Sequence, residues 1–140
     1  MQRLLFKREF DLSPGPVFEY FAEHENLEPM FGAKITRLSN GDDGTRNGVG
    51  SARRLKIGAL PAFEETVTAF QPDELIEYRI TRGSPLRQHI GELSFTPTDT
   101  GTELEWSITF TTPVPGLELL IAEVLKRRIN QGLAKAALPA

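Results

Sequence analysis

The stretch Gly116 to Leu138 constrains this chain most. At helical period Leu117, Ile121, Leu125, Ile129 and Ala136 fall on one stripe, with Gly132 and Leu133 beside it, and Glu123, Lys126, Arg127 and Asn130 fall opposite. That pattern predicts an amphipathic helix of about 22 residues, roughly 33 Å long. A strand of about ten residues has nearly the same length. One such helix can therefore lie across a whole sheet, and the preceding chain reads as that sheet.

Leu4, Phe6, Phe10 and Leu12 alternate with Leu5, Lys7, Glu9 and Asp11, which predicts a strand with one buried face. Arg8 falls on the apolar side of it, at a strand edge where its guanidinium reaches water. Ser13-Pro14-Gly15-Pro16 stops the strand, and Ser13 is placed to cap a short helix over Val17 to Ala22 that ends near His24. Asn26 to Phe31 predicts a second short helix, with Asn26 as cap and Gly32 as stop. His24 is expected to face solvent or to partner a helix end. From Ala33 onward the pattern is strand, turn, strand. Polar or proline-bearing breaks fall at Asn40 to Gly48, Gly58 to Leu60, Gln71 to Glu74, Arg82 to Pro85, Thr98 to Gly101 and Pro113 to Gly116. Residues 1–140 read as one α+β domain: a curved seven-stranded antiparallel sheet, two short helices after the first strand, and a long C-terminal helix enclosing a cavity.

Turn length sets register, and register decides which residues share a face. The loop Gly58 to Leu60 places Leu55 opposite Phe63, Arg53 opposite Glu65, and Ser51 opposite Val67. The loop Gln71 to Glu74 places Val67 opposite Tyr78 and Glu65 opposite Ile80. The loop Thr98 to Gly101 places Phe95 opposite Leu104, Leu93 opposite Trp106, and His89 opposite Phe110. The inner face then collects Val67, Tyr78, Ile80, Trp106, Ile108 and Phe110, and with them the polar side chains Arg53, Glu65 and His89. If the Arg82 to Leu86 connection keeps register, Ile80 faces His89, and Arg53, Glu65, Ile80, His89 and Phe110 form one row across five strands. A buried charge must be paired, so Arg53 and Glu65 are expected as an ion pair. On the helix, Leu125 and Ile129 face the sheet. Gly132 and Ala136 mark either close backbone approach to the sheet or unfilled volume beside Trp106 and Tyr78.

Composition narrows the function classes. An apolar fraction of 39% with 25% charged residues excludes a disordered chain. No apolar run approaches the roughly 20 residues that span a bilayer, so no stable membrane insertion is expected. The first residues are too few and too charged for a signal peptide. Without cysteine there is no disulfide, thiol nucleophile or thiolate metal site. A cytoplasmic location fits. A net charge of -3 offers nucleic acid no attractive field, and Lys126-Arg127-Arg128 reads as the solvated face of the last helix. There is no His-x-x-x-His and no carboxylate triad at ligand spacing, so neither metal nor cofactor is expected. No serine sits on a nucleophile elbow. His89 and Glu65 are the candidates for moving a proton; burial would raise the Glu65 pKa and Arg53 would oppose that. Tyr78 either orients a ligand carbonyl or packs with its hydroxyl wet.

The order of elements resembles the START-like superfamily, the helix-grip or birch-pollen-allergen fold. Ser13-Pro14-Gly15-Pro16-Val17-Phe18, Gly48-Val49-Gly50-Ser51-Ala52-Arg53, Glu65-Thr66-Val67-Thr68-Ala69-Phe70 and Gly101-Thr102-Glu103-Leu104-Glu105-Trp106 are similar to its polyketide cyclase/dehydrase branch. Phe31 stands near a place where such proteins commonly carry tryptophan. The resemblance implies a cavity between sheet and helix for lipids, polyketides or other apolar molecules, and in some members aromatic ring cyclisation or dehydration. It transfers no catalytic residue. Three functions follow as expectations. The first is binding of a small hydrophobic ligand near Arg53, Glu65, Val67, Tyr78, Ile80, His89, Trp106, Ile108, Phe110, Leu125, Ile129 and Gly132. The second is a cyclase or dehydratase using His89 or Glu65. The third is a protein-interaction module with a filled core. Oligomeric state is left open.

Overall fold

The computed structural model describes residues 1–139. Seven strands form one antiparallel sheet in the order β1-β7-β6-β5-β4-β3-β2. They are β1 (Gln2–Phe10), β2 (Lys34–Ser39), β3 (Ala52–Lys56), β4 (Phe63–Gln71), β5 (Leu75–Arg82), β6 (Arg87–Pro97) and β7 (Thr102–Thr111). Between β1 and β2 run α1 (Pro14–Ala22), a 3-10 turn (His24–Leu27) and α2 (Glu28–Phe31). The long helix α3 (Leu117–Ala134) follows β7. This is the helix-grip arrangement.

The expected cross-strand partners are found, but in the β4–β5 hairpin Gln71 already pairs with Leu75, and a bulge at Thr68 restores the expected register. Leu55 pairs Phe63 and Arg53 pairs Glu65. Val67 pairs Tyr78 and Glu65 pairs Ile80. Leu93 pairs Trp106 and Phe95 pairs Leu104. Backbone bonds between Gly50, Ser51 and Val67 continue the β3–β4 ladder past the strand end. The inner face packs into a core whose largest fully buried side chains include Trp106, Tyr78, Phe10, Phe21 and Phe110. Phe31 meets Trp106 edge to face at 5.7 Å between centroids, so a ring does occupy that place in the core.

Local details depart from expectation for physical reasons. Ser13 has the extended backbone of a cap, but its side chain makes no capping bond; Pro14 opens the helix. Asn26 does not cap α2, whose N-cap is Leu27; its amide donates instead to the Tyr20 carbonyl at 3.0 Å. Gly32 does stop α2, at φ 61. Arg8 is half-buried, with its guanidinium 5.7 Å from the Phe10 ring and its Nε without a protein partner. The long helix is 18 residues, shorter than its apolar stripe. It ends at Ala134, and Leu138 packs back on the core while the Pro139 carbonyl accepts from Asp11 N–H.

The two halves of α3 are held differently. Ile129, Gly132 and Leu133 are buried, whereas Ile121 and Leu125 are half-buried and Leu119, Leu120 and Val124 exposed. A Cβ on Gly132 would stand 2.5 Å from Met30 Cα and 2.8 Å from the Pro29 carbonyl. Its role is therefore close packing, and the partner is α2 rather than the sheet. Arg128 Nη1 fastens the same crossing by donating to the Phe31 and Gly32 carbonyls at 3.1 and 3.2 Å. The helix is thus gripped by its C-terminal half.

Candidate functional site

The polar groups of the inner face do come together. Arg53 and Glu65 face each other across β3 and β4, each 3% exposed. Arg53 Nε donates to Glu65 Oε1 at 2.9 Å, and Nη2 approaches the same oxygen at 2.9 Å without hydrogen-bond geometry. The Arg53 guanidinium lies 4.9 Å from the Tyr78 ring centroid, which adds a cation–π contact. Tyr78 OH accepts from Trp106 Nε1 at 3.0 Å. Tyr78 can lie this way because its β6 partner is Gly91, where a Cβ would fall 2.1 Å from the ring. Burial, with Glu65 adding, pushes the Tyr78 phenol far above its usual range, so it remains a neutral donor.

His89 takes its place by a break in the ladder. β5 and β6 pair as far as Tyr78 and Gly91. Beyond them β6 bulges between Arg87 and Ile90, and Gln88 takes a φ of 52. Ile80 N–H donates to His89 Nδ1 at 3.0 Å, in place of a backbone carbonyl. The expected row across five strands is therefore interrupted. Ile80 touches His89 through this bond, but the bulge removes the His89–Phe110 pairing. Accepting at Nδ1 fixes the neutral tautomer with its proton on Nε2, 4.0 Å from Glu65 Oε2. Burial lowers the His89 pKa; Glu65 opposes that and Arg53 reinforces it. The ring at neutral pH is an uncharged donor beside a carboxylate.

His24 is a correction. Far from facing solvent, it is fully buried, and its Nε2 is 3.1 Å from Ser51 Oγ. The 3-10 turn, rather than a longer α1, points the ring inward. Its Nδ1 has no protein partner. Burial, then the positive charges of Arg53 and Arg37, lower its pKa to about 3 against a weaker opposing pull from Glu25. The sequence did carry a signal for this pair. Ser51 shares inner-face parity with Arg53, and a buried hydroxyl there needs a partner.

The remaining expected positions divide in two. Val67, Tyr78, Trp106, Ile108, Phe110 and Ile129 are packed core. Ile80 and Leu125 are half-buried. Ile57, Phe63, Leu86 and Ile121 are half-buried too, and packed against the core. Strand ends and connectivity place these residues at the end of the sheet where α3 begins. Two open depressions lie elsewhere: about 680 Å³ at the start of α1, beside Asp73 and Phe95, and about 330 Å³ on the outer side of α3, beside Leu120 and Arg127. Among the described residues no three His, Cys, Asp or Glu side chains cluster as a metal site, and no helix is long and apolar enough to cross a membrane.

Residues 1–138 match the family described as polyketide cyclase / dehydrase and lipid transport. The chain belongs to that family. Solved structures agree on the fold. A START superfamily protein from Mycobacterium smegmatis is 18% identical with a TM-score of 0.71, over 96% of this chain and 92% of that one. XoxI from Bacillus cereus is 19% identical with a TM-score of 0.70, over 96% and 92%. The Zhui aromatase/cyclase from a Streptomyces species is 17% identical with a TM-score of 0.69, over 95% and 87%. No curated protein sequence matches the chain. Membership in this polyketide cyclase and lipid transport family agrees with the motifs around Ser13, Gly48, Glu65 and Gly101.

The buried histidines set the acid response of the fold. Both have folded pKa values below the unfolded value of about 6.5, so the unfolded chain binds protons first. Their stabilising contribution is full above about pH 6.5 and is lost as pH falls towards the folded values, for His24 about 3. As pH falls from about 6.5 towards 3, urea unfolding is expected to lose about 1.4 kcal/mol per pH unit through His24, with His89 adding to the loss in the same direction. His24→Gln should remove one such increment from the slope.

Proposed function

We propose that the protein binds a small hydrophobic molecule between the sheet and the first half of α3. The half-buried apolar side chains Ile80, Phe63, Ile121 and Leu125 receive the apolar body, and Arg53, Glu65 and His89 orient its polar end. The observation carrying this reading is the contrast along α3. Its second half is locked onto α2 through Gly132 and Arg128, while its first half buries Ala122 but leaves Ile121 and Leu125 half-covered. A stability-driven core would not retain Arg53, Glu65 and His89 among its buried side chains, nor His24 with an Nδ1 that has no protein partner. Outward movement of the first half of α3 admits the ligand. Burying its apolar surface contributes about 25 cal/mol per Å², and a ligand oxygen takes up the free capacity at Arg53.

The test is titration with the fluorescent probe anilinonaphthalene sulfonate. Saturable binding of one probe per chain is expected. Leu125→Trp, which enlarges the side chain at this half-buried position, should weaken it at least tenfold, a change of about 1.4 kcal/mol, with unfolding unaltered. Probe uptake that never saturates, or that ignores Leu125→Trp, would contradict the assignment.

A second reading has its own supporting observation, the tautomer lock on His89. An imidazole fixed with Nε2–H beside Glu65 is arranged to donate to a ligand oxygen while the carboxylate accepts a proton, as a cyclase or dehydratase requires. With a poly-β-ketone substrate, His89→Ala would then abolish turnover and leave probe affinity nearly unchanged.

A further inference from the structure

The two ends of the sheet differ in a way that packing does not require. At one end the connections are Asn40 to Gly48, Gln71 to Glu74 and Thr98 to Gly101, all polar, with Asp42, Asp43, Asp73, Glu74 and Asp99 among them. At the other end they are Gly58-Ala59-Leu60-Pro61, Gly83-Ser84-Pro85 and Pro113-Val114-Pro115. Leu60 and Val114 stand at these tips, and Leu119, Leu120 and Val124 are on the first half of α3, which starts from this end; all five are between 44% and 63% exposed. Around them stand exposed basic side chains at strand ends: Lys34, Lys56, Arg82 and Arg87. Lys34 and Lys56 are direct cross-strand partners, an arrangement that destabilises a sheet unless an anion relieves it. None of the four forms an ion pair among the described residues. The acids here are Glu64, whose cross-strand neighbours are Arg54 and Arg82, Glu28, which accepts from the Ile35 N–H next to Lys34, and Glu118 and Glu123 on α3, the latter 3.5 Å from Lys126. A chain of net charge -3 thus carries four basic side chains without ion pairs at this end, together with exposed leucines.

We propose that this end docks reversibly on an anionic lipid bilayer. Seven strands spaced about 4.8 Å apart give a face roughly 29 Å wide, suited to a flat surface rather than a narrow cleft. Apolar tips that enter the headgroup boundary, ringed by lysine and arginine that meet lipid phosphates, are the pairing that peripheral attachment needs. The acidic end points away from the negative surface, so the molecule is oriented as well as attracted. A second copy of the chain fits less well, because its matching end would carry the same positive charge. The docking stands on surface composition alone and does not depend on the ligand reading above.

Flotation with phosphatidylcholine vesicles, with and without phosphatidylglycerol, tests it. Binding is expected only to the mixed vesicles, and added salt should weaken it. Lys56→Ala and Arg87→Ala should each weaken partitioning about fivefold. Leu120→Glu should weaken it more, whereas Asp99→Asn at the opposite end should change little. The proposal is overturned if the wild-type protein ignores both vesicles, or if these variants bind as well as it does. It is also overturned if light scattering shows a dimer that Leu120→Glu converts to monomer, which would give this face to a second copy.

Discussion

Arg53→Met on its own is expected to destabilise the domain by about 3–5 kcal/mol, because it leaves the Glu65 carboxylate buried without its countercharge. The paired variant Arg53→Met/Glu65→Leu should recover to within about 1 kcal/mol of wild type or exceed it, since well-packed apolar replacements of a buried pair are commonly neutral or stabilising. Denaturant unfolding of the four proteins of this cycle separates the terms. If the double variant recovers stability but no longer binds the fluorescent probe, the pair is present for its ligand. If it recovers both, the pair is a dispensable feature of the fold. If Arg53→Met alone is harmless, the burial and contact described for the pair are wrong.

Gly132→Leu should be the other severe change, costing about 3 kcal/mol or more. The atoms a Cβ would meet are Met30 Cα and the Pro29 carbonyl, which belong to backbone and cannot rotate away. Separation of α2 from α3 would also break the Arg128 bonds to Phe31 and Gly32. The expected result is a lowered thermal midpoint with Gly132→Ala intermediate. Wild-type stability with selective loss of probe binding would restore Gly132 to the ligand site.

Turn chemistry and side-chain alternation made the sheet legible. Leu55–Phe63 and Leu93–Trp106 pair as loop lengths predict, in loops marked by glycine or proline, whereas Val67–Tyr78 is reached through a bulge at Thr68 that compensates a turn one residue shorter than expected. The Arg53–Glu65 pair followed from the same parity. The bulge at Gln88 was not legible. A glutamine at φ 52 has no turn signature, and tertiary contact between His89 and the Ile80 amide stabilises it. His24 was misplaced because helical period carries no information about a 3-10 turn that ends a helix and rotates the next side chain inward. Small residues on α3 were ambiguous in principle: glycine marks both empty space and close backbone contact, and only the position of α2 decides for Gly132. The exposed Leu119, Leu120 and Val124 lie off the apolar stripe of α3, where helical period gives no signal for them.

Native mass spectrometry of the protein as purified, followed by incubation with fatty acids and aromatic polyketides, tests the ligand-binding claim most directly. The account predicts the chain carrying one small-molecule adduct, released on collisional activation and lost in Arg53→Met/Glu65→Leu. A spectrum of the bare polypeptide before and after incubation would contradict it.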